Sequence, residues 1–588
     1  MNFLRDARFG RRVAIAAAAG LLSLATWPVA AQRAAIAADA ADAETTTHVL
    51  NRIGFGPRPG DVARVQKVGL QAYIEEQLHP ERIDDAALDA RLAPMASLSM
   101  SSRDLAAQYF MPADMLNRQL QQAQTVPANQ MTPPGQPPRP QATPEQRQIR
   151  MAAQSVTAEL MQAKVLRAVM SERQLEEVLV DFWFNHFNVF IGKGQVRQHL
   201  TEYERDAIRP HVLGRFRDML GATAHSPAML FYLDNFQSQA PPDARTLAPA
   251  GRRGRGGVPV RPGQVRPGQP QPQRPARGLN ENYARELMEL HTLGVDGGYT
   301  QQDVVEVARI LTGWTIDQPR AGGSFVFRPQ VHDAGAKTVL GRKFEAGRGE
   351  EEGERLLDML ATHPSTARHI SFKLAQRFVA DEPPAGLVDR AAKVFLDTDG
   401  DLRAVTRAII TSPEFLSPDI HHAKVKTPFE FVASAMRATG AVVNNAQPLV
   451  AALANLGMPL YGAQPPTGYS MTADAWVNTG ALLARINLAV QVIAGTAPLQ
   501  PRQDIRGGQR PPPGAQRLRG RGGAIGRNAV RIDLPALAPD TSEATRERLV
   551  EAMLGGNTSA ATRDTLARAG SPQELLALAL GSPEFQRR

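Results

Sequence analysis

The chain has 588 residues, with 67 Lys and Arg against 58 Asp and Glu, a formal charge of +9 and a hydrophobic share of 43%. That length and apolar content suffice for a large buried core. Cysteine is absent, which excludes disulfides, thiolate metal sites, iron–sulfur clusters and a cysteine nucleophile. The positive charge suggests a nucleic-acid partner, but its location argues against one. Residues 1–31 carry +3, residues 239–277 and 501–531 carry +7 each, and the rest of the chain is left at −8. The part expected to fold is mildly acidic, so no nucleic acid is expected as a partner.

From the start of the chain, Arg5, Arg8, Arg11 and Arg12 precede an Ala/Leu-rich run from Val13 to Thr26, and Val29-Ala30-Ala31 stands before Gln32. A short apolar run between basic and small residues reads as a cleavable signal peptide over 1–31. Arg11-Arg12 leaves the twin-arginine route open beside the general secretory one. Residues 32–44 read as a flexible linker and 45–588 as a single helical domain. No later apolar run is long enough to cross a bilayer. The mature chain is therefore expected to be exported, periplasmic or extracellular, without a transmembrane span.

Three segments break the helical pattern: 122–148 with Pro133-Pro134-Gly135, 239–277 with Arg252-Arg253-Gly254-Arg255-Gly256-Gly257, and 499–530 with Pro511-Pro512-Pro513 and Arg519-Gly520-Arg521. Such Pro, Gly, Gln and Arg content buries too little apolar area to offset ordering entropy, so they read as disordered insertions in an intact core. Arg-Gly tracts in an exported chain suit contact with anionic envelope polymers.

Elsewhere the period is helical, and the fold class is mainly α with a small β-hairpin. Leu175, Val178, Leu179 and Phe182 mark one apolar face, and Val304, Val307, Ala308 and Leu311 repeat its spacing. Thr300 with Asp303 predicts a helix start, and Asp296-Gly297-Gly298 the turn before it. Phe325-Val326-Phe327 is the best strand, with Thr338-Val339-Leu340 as its expected hairpin partner. Ser-Pro-Glu-Phe occurs at 412–415 and again at 582–585. It is a helix stop followed by a new start, with Ser as cap and Pro at the first position.

Three constellations could carry chemistry. On a helix over 280–291, Asn282, Arg285, Glu286 and Glu289 form one polar stripe, with Tyr283, Leu287 and Leu290 facing a core. Two carboxylates and an arginine on one face could bind a cation or act as acid and base; a salt-bridged surface is the simpler alternative. His291 would lie nearly opposite that stripe on a regular helix. His186, in Phe182-Trp183-Phe184-Asn185-His186-Phe187, falls on the apolar face of its helix and needs a hydrogen-bond partner or a metal. A carboxylate of the stripe would serve. His332-Asp333, in the loop after the strand, suits ligation or proton transfer, or is a turn-forming Asp beside an exposed His. Lys337 is placed to pair with the Asp.

Several standard readings fail: there is no His-Glu-x-x-His helix, Gly-x-Ser-x-Gly elbow or Walker A loop. Asp397-Thr398-Asp399-Gly400-Asp401 has its glycine fourth and Ala408 twelfth, so it is a turn and helix cap rather than an EF-hand.

Taken together, these blocks resemble the bacterial domain-of-unknown-function (DUF) family 1800. The resemblance rests on His48-Val49-Leu50-Asn51-Arg52-Ile53-Gly54-Phe55-Gly56-Pro57, the block from Trp183 to Phe187, and Ser226-Pro227-Ala228-Met229-Leu230 with Tyr232-Leu233-Asp234-Asn235. It continues through Asn280 to Thr300, Leu311-Thr312-Gly313-Trp314, His332-Asp333 with Lys337 to Gly341, and Lys424-Val425-Lys426 with Pro428. It covers residues 45 to about 490 and the C-terminal helices. Gly468-Tyr469 stands where the family usually carries Gly-Trp. The resemblance implies an exported, mostly helical protein, with a partner family resembling alkaline phosphatases and sulfatases often encoded beside it; it implies no activity. Two readings stay open. One is a metal-binding or hydrolase-like enzyme, with a divalent metal possible and a site of His186, Arg285, Glu286, Glu289, His332 and Asp333. The other is a non-catalytic envelope protein that holds or matures a partner.

Overall fold

The structure, a computed structural model, describes residues 42–124, 143–247, 278–494, 529–556 and 558–588. The signal peptide, nearly all of the expected linker and most of the three insertions lie outside the described residues. The margins of the first insertion are helical: residues 122–124 end one helix, and residues 144–148 begin the next.

Local capping chemistry explains where the helices begin. Helix α1 (Ala43–Arg52) starts at Asp42, whose carboxylate accepts from Thr45 N at 2.6 Å. Helix α2 (Pro144–Met170) opens on a reciprocal Thr143/Gln146 capping box with Pro at its first position. Helix α3 (Gln174–His186) buries Leu175, Val178, Leu179 and Phe182, the apolar face read from the sequence. Helix α4 (Glu281–Glu286) is capped by Asn280, and α5 (Gln301–Ile310) by the predicted Thr300/Asp303 pair as a full capping box.

Among the described residues, three two-stranded antiparallel sheets interrupt the helices. Strand β1 (Trp314–Ile316) pairs with β2 (Phe325–Phe327), and β3 (Lys337–Val339) pairs with β4 (Arg342–Phe344). The expected pairing of Phe325–Phe327 with the 338–340 segment does not occur. The reason is turn chemistry: Val339 pairs with Arg342 across Leu340-Gly341, at φ 50 and 75, a two-residue reversal that closes β3 on its own neighbour. Helices α6 (Glu350–Ala361) and α7 (Pro364–Phe378) follow, then α8 (Pro428–Ala438), which opens on a Thr427/Glu430 capping box. Strand β5 (Val442–Val443) pairs with β6 (Val530–Arg531), and α9 (Thr479–Ala494) packs on α10 (Pro572–Gly581).

One apolar cluster runs from Val49 to Phe585 through most of these elements. Both Ser-Pro-Glu-Phe elements feed it. Ser412 and Ser582 each accept from the amide of the Phe three residues on, and Phe415 and Phe585 are buried. Asp401 caps the helix after the Asp-rich turn, accepting from Ala404 N at 3.0 Å. No helix among the described residues is long and apolar enough to cross a membrane.

Gly353, inside α6, faces the fully buried Trp314, and a Cβ there would overlap the indole. Alanine normally gains about 1 kcal/mol over glycine in a helix. Here overpacking against a ring with no room to move costs about 1–3 kcal/mol and wins. Gly353→Ala is therefore expected to lower stability by up to about 2 kcal/mol in urea unfolding; a stabilised variant would show that Trp314 is not seated against α6.

Candidate functional site

The acidic stripe follows directly from Asn280, whose side-chain oxygen accepts from Asn282 N at 2.9 Å and fixes the first turn of α4. From Leu287 to Leu293 the helix continues with π-helical winding. Wider turns shift the register. Met288 and His291 become buried with Leu287, while Leu290, expected in the core, is only half-buried. Arg285 donates to Gln301 Oε1 at 2.6 Å, and Glu289 accepts from the Tyr299 hydroxyl at 3.0 Å. Glu286 is half-buried. Burial, then the neighbouring Glu289 charge, push its carboxyl above the ordinary range, with Arg285 opposing.

His186 ends α3 and is buried. Its Nε2 lies 3.2 Å from the main-chain oxygen of His291, and His369 Nε2 lies 3.3 Å from that of Leu290. The partner is therefore a carbonyl and not the carboxylate expected from the stripe. These carbonyls belong to the last turn before Gly294, which has left-handed φ 84, and such terminal carbonyls need outside donors. Two imidazoles supply them. The His186 ring centroid stands 6.3 Å from that of His291 and 6.1 Å from that of His369. Burial, then the other imidazoles, hold His186 well below its ordinary value; burial takes His291 down to about 3 and His369 to about 4.

His332 and Asp333 sit in a different, closed network. His332 Nδ1 lies 2.8 Å from Thr312 O, and its Nε2 faces Glu352 Oε2 at 3.6 Å. Both side chains are fully buried. Asp333 takes a two-pronged contact from Arg309, at 2.8 and 3.2 Å, and accepts from Gly335 N at 2.8 Å. Burial alone would raise its carboxyl, but Arg309 and the amide hold it below the ordinary range. Lys337 donates to the Glu352 carboxylate and to the Asp333 main-chain oxygen, so its direct carboxylate partner is Glu352 rather than the expected Asp333. The loop is not exposed, because Thr246 bridges to Asp333 and covers it.

Among the described residues no three His, Asp or Glu side chains come together to hold a metal ion.

A narrow cleft opens elsewhere, with a cavity volume of about 50 Å³. Its apolar wall includes Phe182, Phe184, Met458 and Tyr461, and its polar end Arg377, Glu430 and Arg588. None of the six sequence candidates lines it. Asn185, one residue before His186, does, and clamps the covering loop: its amide donates to Tyr469 O at 2.8 Å and its oxygen accepts from Tyr469 N at 2.7 Å. Gly468 is required beside this clamp, having φ 70 and a would-be Cβ overlapping Asn185 O. Tyr469 thus lines the cleft. Sequence reasoning missed Lys164, Arg377 and Arg588. The one local signal was Lys424-Val425-Lys426 before Thr427-Pro428, two lysines entering a helix start, where cations are normally disfavoured.

The buried imidazoles set an acid response. Below pH 6.5 they take protons in the unfolded chain but not in the folded one, so stability falls as pH drops from 6.5 towards 4, by about 1.4 kcal/mol per unit for each histidine. His369→Gln keeps a donor for Leu290 O and removes one such titration. Its unfolding free energy between pH 6 and 4.5 is expected to fall less steeply than that of the parent by about 1.4 kcal/mol per unit; equal slopes in denaturant titrations would contradict the neutral imidazole.

The family model described as "Protein of unknown function (DUF1800)" matches residues 48–587. No curated protein and no solved structure matches the chain. With α1 near one end of that match and the buried Arg588 just past the other, the chain belongs to the DUF1800 family of proteins of unknown function.

Proposed function

We propose that this protein is an exported, non-catalytic helical protein of the cell envelope that works beside a partner. The observation that supports this most is the occupation of five of the six candidate side chains, all but Glu286. His186 caps a carbonyl, Arg285 and Glu289 hold Gln301 and Tyr299, and His332 and Asp333 belong to the closed Glu352–Lys337–Arg309 network. A catalytic group must be within reach of a substrate proton or atom, and these are engaged internally. The signal-like leader over 1–31 supports export. The Arg-rich segments, at +7 each, supply charge for contact with anionic envelope polymers, and the partner expected from the family resemblance is an exported protein of the phosphatase and sulfatase type.

A second reading keeps one observation in its favour. Glu286 is half-buried with its carboxyl raised by burial and by Glu289, the condition of a general acid. In this hydrolase-like reading Glu286 gives the proton and Arg285 stands beside it.

Two measurements decide. N-terminal sequencing of the full chain expressed in a host with a periplasm is expected to return a mature protein beginning at Gln32; a product still carrying Met1 in the cytosol removes the export reading. Metal analysis and unfolding of the mature protein and its Glu286→Ala variant are expected to show a metal-free pair differing by less than about 1 kcal/mol, as for a half-buried surface carboxylate. Stoichiometric metal lost in the variant, or hydrolysis of model esters lost with it, would establish the second reading instead.

A further inference from the structure

The polar end of the cleft has more buried positive charge than the chain neutralises. Arg52, Arg377, Lys424, Lys426, Arg485 and Arg588 are each at most 5% exposed. The carboxylates among them are Glu430, also buried, and Asp381. Adding an α-carboxylate on Arg588 would still leave the cations in excess. Glu430 is already engaged by three donors. Its Oε1 takes both Arg377, at 2.9 Å, and Arg588, at 3.0 Å, while its Oε2 accepts from Thr427 N at 2.8 Å. Asp381 is held by Lys424 and by Ala473 N at 2.8 Å. Asp181, which also lines the cleft, is matched by Lys164 at 3.0 Å.

The donors are under-used as well. Arg377 Nη1 and Arg588 Nε, buried on two residues that line the cleft, have no hydrogen-bond partner. Arg52 Nε and Nη1 and Arg485 Nη2 behind them have none either. Buried guanidinium donors in folded proteins are almost always met, and buried cations almost always paired. Water can accept from the orphaned N–H groups but cannot offset their charge. Repulsion among these groups is already expressed in their acidity. Burial, then Arg588, brings Lys424 down to about 8. Burial, with Arg588 and Arg485 beyond the opposing Glu430, brings Lys426 to about 7. Thr427 Oγ1 accepts from Glu430 N at 3.3 Å and retains a hydrogen to donate beside them.

We propose that this end of the cleft binds an oxyanion, a carboxylate or a phosphate or sulfate monoester, between Arg377 and Arg588. Each of the two guanidinium groups keeps one unmet N–H, Nη1 on Arg377 and Nε on Arg588, and charge-assisted donation from both suits one shared oxyanion. The remaining wall, with Phe182, Phe184, Met458 and Tyr461, then receives an apolar body attached to it. The site stands apart from the stripe and from the His332 network, and it holds whether the chain acts alone or beside a partner.

Titration calorimetry of the full mature chain, purified without phosphate or sulfate, tests this with phenyl phosphate, benzoate and inorganic phosphate as probes and phenol as the neutral control. One-to-one binding of phenyl phosphate or benzoate is expected, with no heat from phenol and at least tenfold weaker affinity in Arg377→Gln. Inorganic phosphate binding as tightly as phenyl phosphate would also support the site and make the free ion its ligand. If Arg377→Gln does not fold, Met458→Trp fills the apolar half without touching a charge and is expected to weaken phenyl phosphate more than inorganic phosphate. No binding of any probe at 10 mM (on the order of the weakest useful affinity), or binding unchanged in the folded variants, overturns the proposal.

Discussion

The centre of the molecule depends on the carboxylate of Glu430. It sits in the first turn of α8, where its own capping box directs one oxygen to Thr427 N, and its other oxygen receives Arg377 from the end of α7 and Arg588 from the far end of the chain. Backbone pairing reinforces the same junction: Arg588 N donates to Lys424 O at 2.8 Å and Lys426 N to Gln586 O at 2.9 Å. Helix α1 joins through Arg52, which donates to Ile420 O at 2.7 Å. Burial alone would raise the Glu430 carboxyl, yet Arg588 and Arg377 hold it down to about 2. The arginines therefore outweigh desolvation, and removing one partner of such a buried group typically costs about 3–5 kcal/mol. Three distant stretches of sequence are tied by one side chain.

The network around Glu352 follows the same physics with a different balance. There Lys337 answers Glu352, and Arg309 answers Asp333 and Glu306, the last at 2.7 Å. Two cations there meet three carboxylates, the fully enclosed His332 side chain faces Glu352, and no cation is left over. Around Glu430 the cations exceed the carboxylates and buried guanidinium atoms stay unmet. The contrast separates a charge cluster that only holds loops together from one that has capacity left over, although both look alike as counts of charged residues.

Local chemistry was legible in the sequence and long-range convergence was not. The apolar face of α3, the Thr300/Asp303 cap and the paired Ser-Pro-Glu-Phe elements follow from interactions within four residues, and each is where the pattern placed it. The polar stripe was also legible, but its end was not, because π winding after Glu286 depends on packing that periodicity does not encode. Strand partners failed for a related reason: Phe325–Phe327 fits either neighbour, and Leu340-Gly341 decided the matter by closing β3 on β4. The cleft was least visible. Arg377 reads as an ordinary basic residue in a last helical turn, and it meets Glu430 and Arg588 only after the intervening chain has folded.

The imidazole cluster illustrates how magnitude decides role. A histidine at a helix C-terminus is usually favoured as a cation, an effect worth up to about 2 kcal/mol in partly buried geometry. His369 instead falls to about 4 from an ordinary 6.5, which corresponds to roughly 3 kcal/mol against the charged form. Desolvation wins. Neutral imidazole still donates one hydrogen bond, which is all that the carbonyls of Leu290 and His291 require. Placing His186 and His369 at this π-helical end thus secures a turn that glycine alone would leave with unmet carbonyls, while keeping charge out of the apolar cluster formed by Trp183 and Phe187.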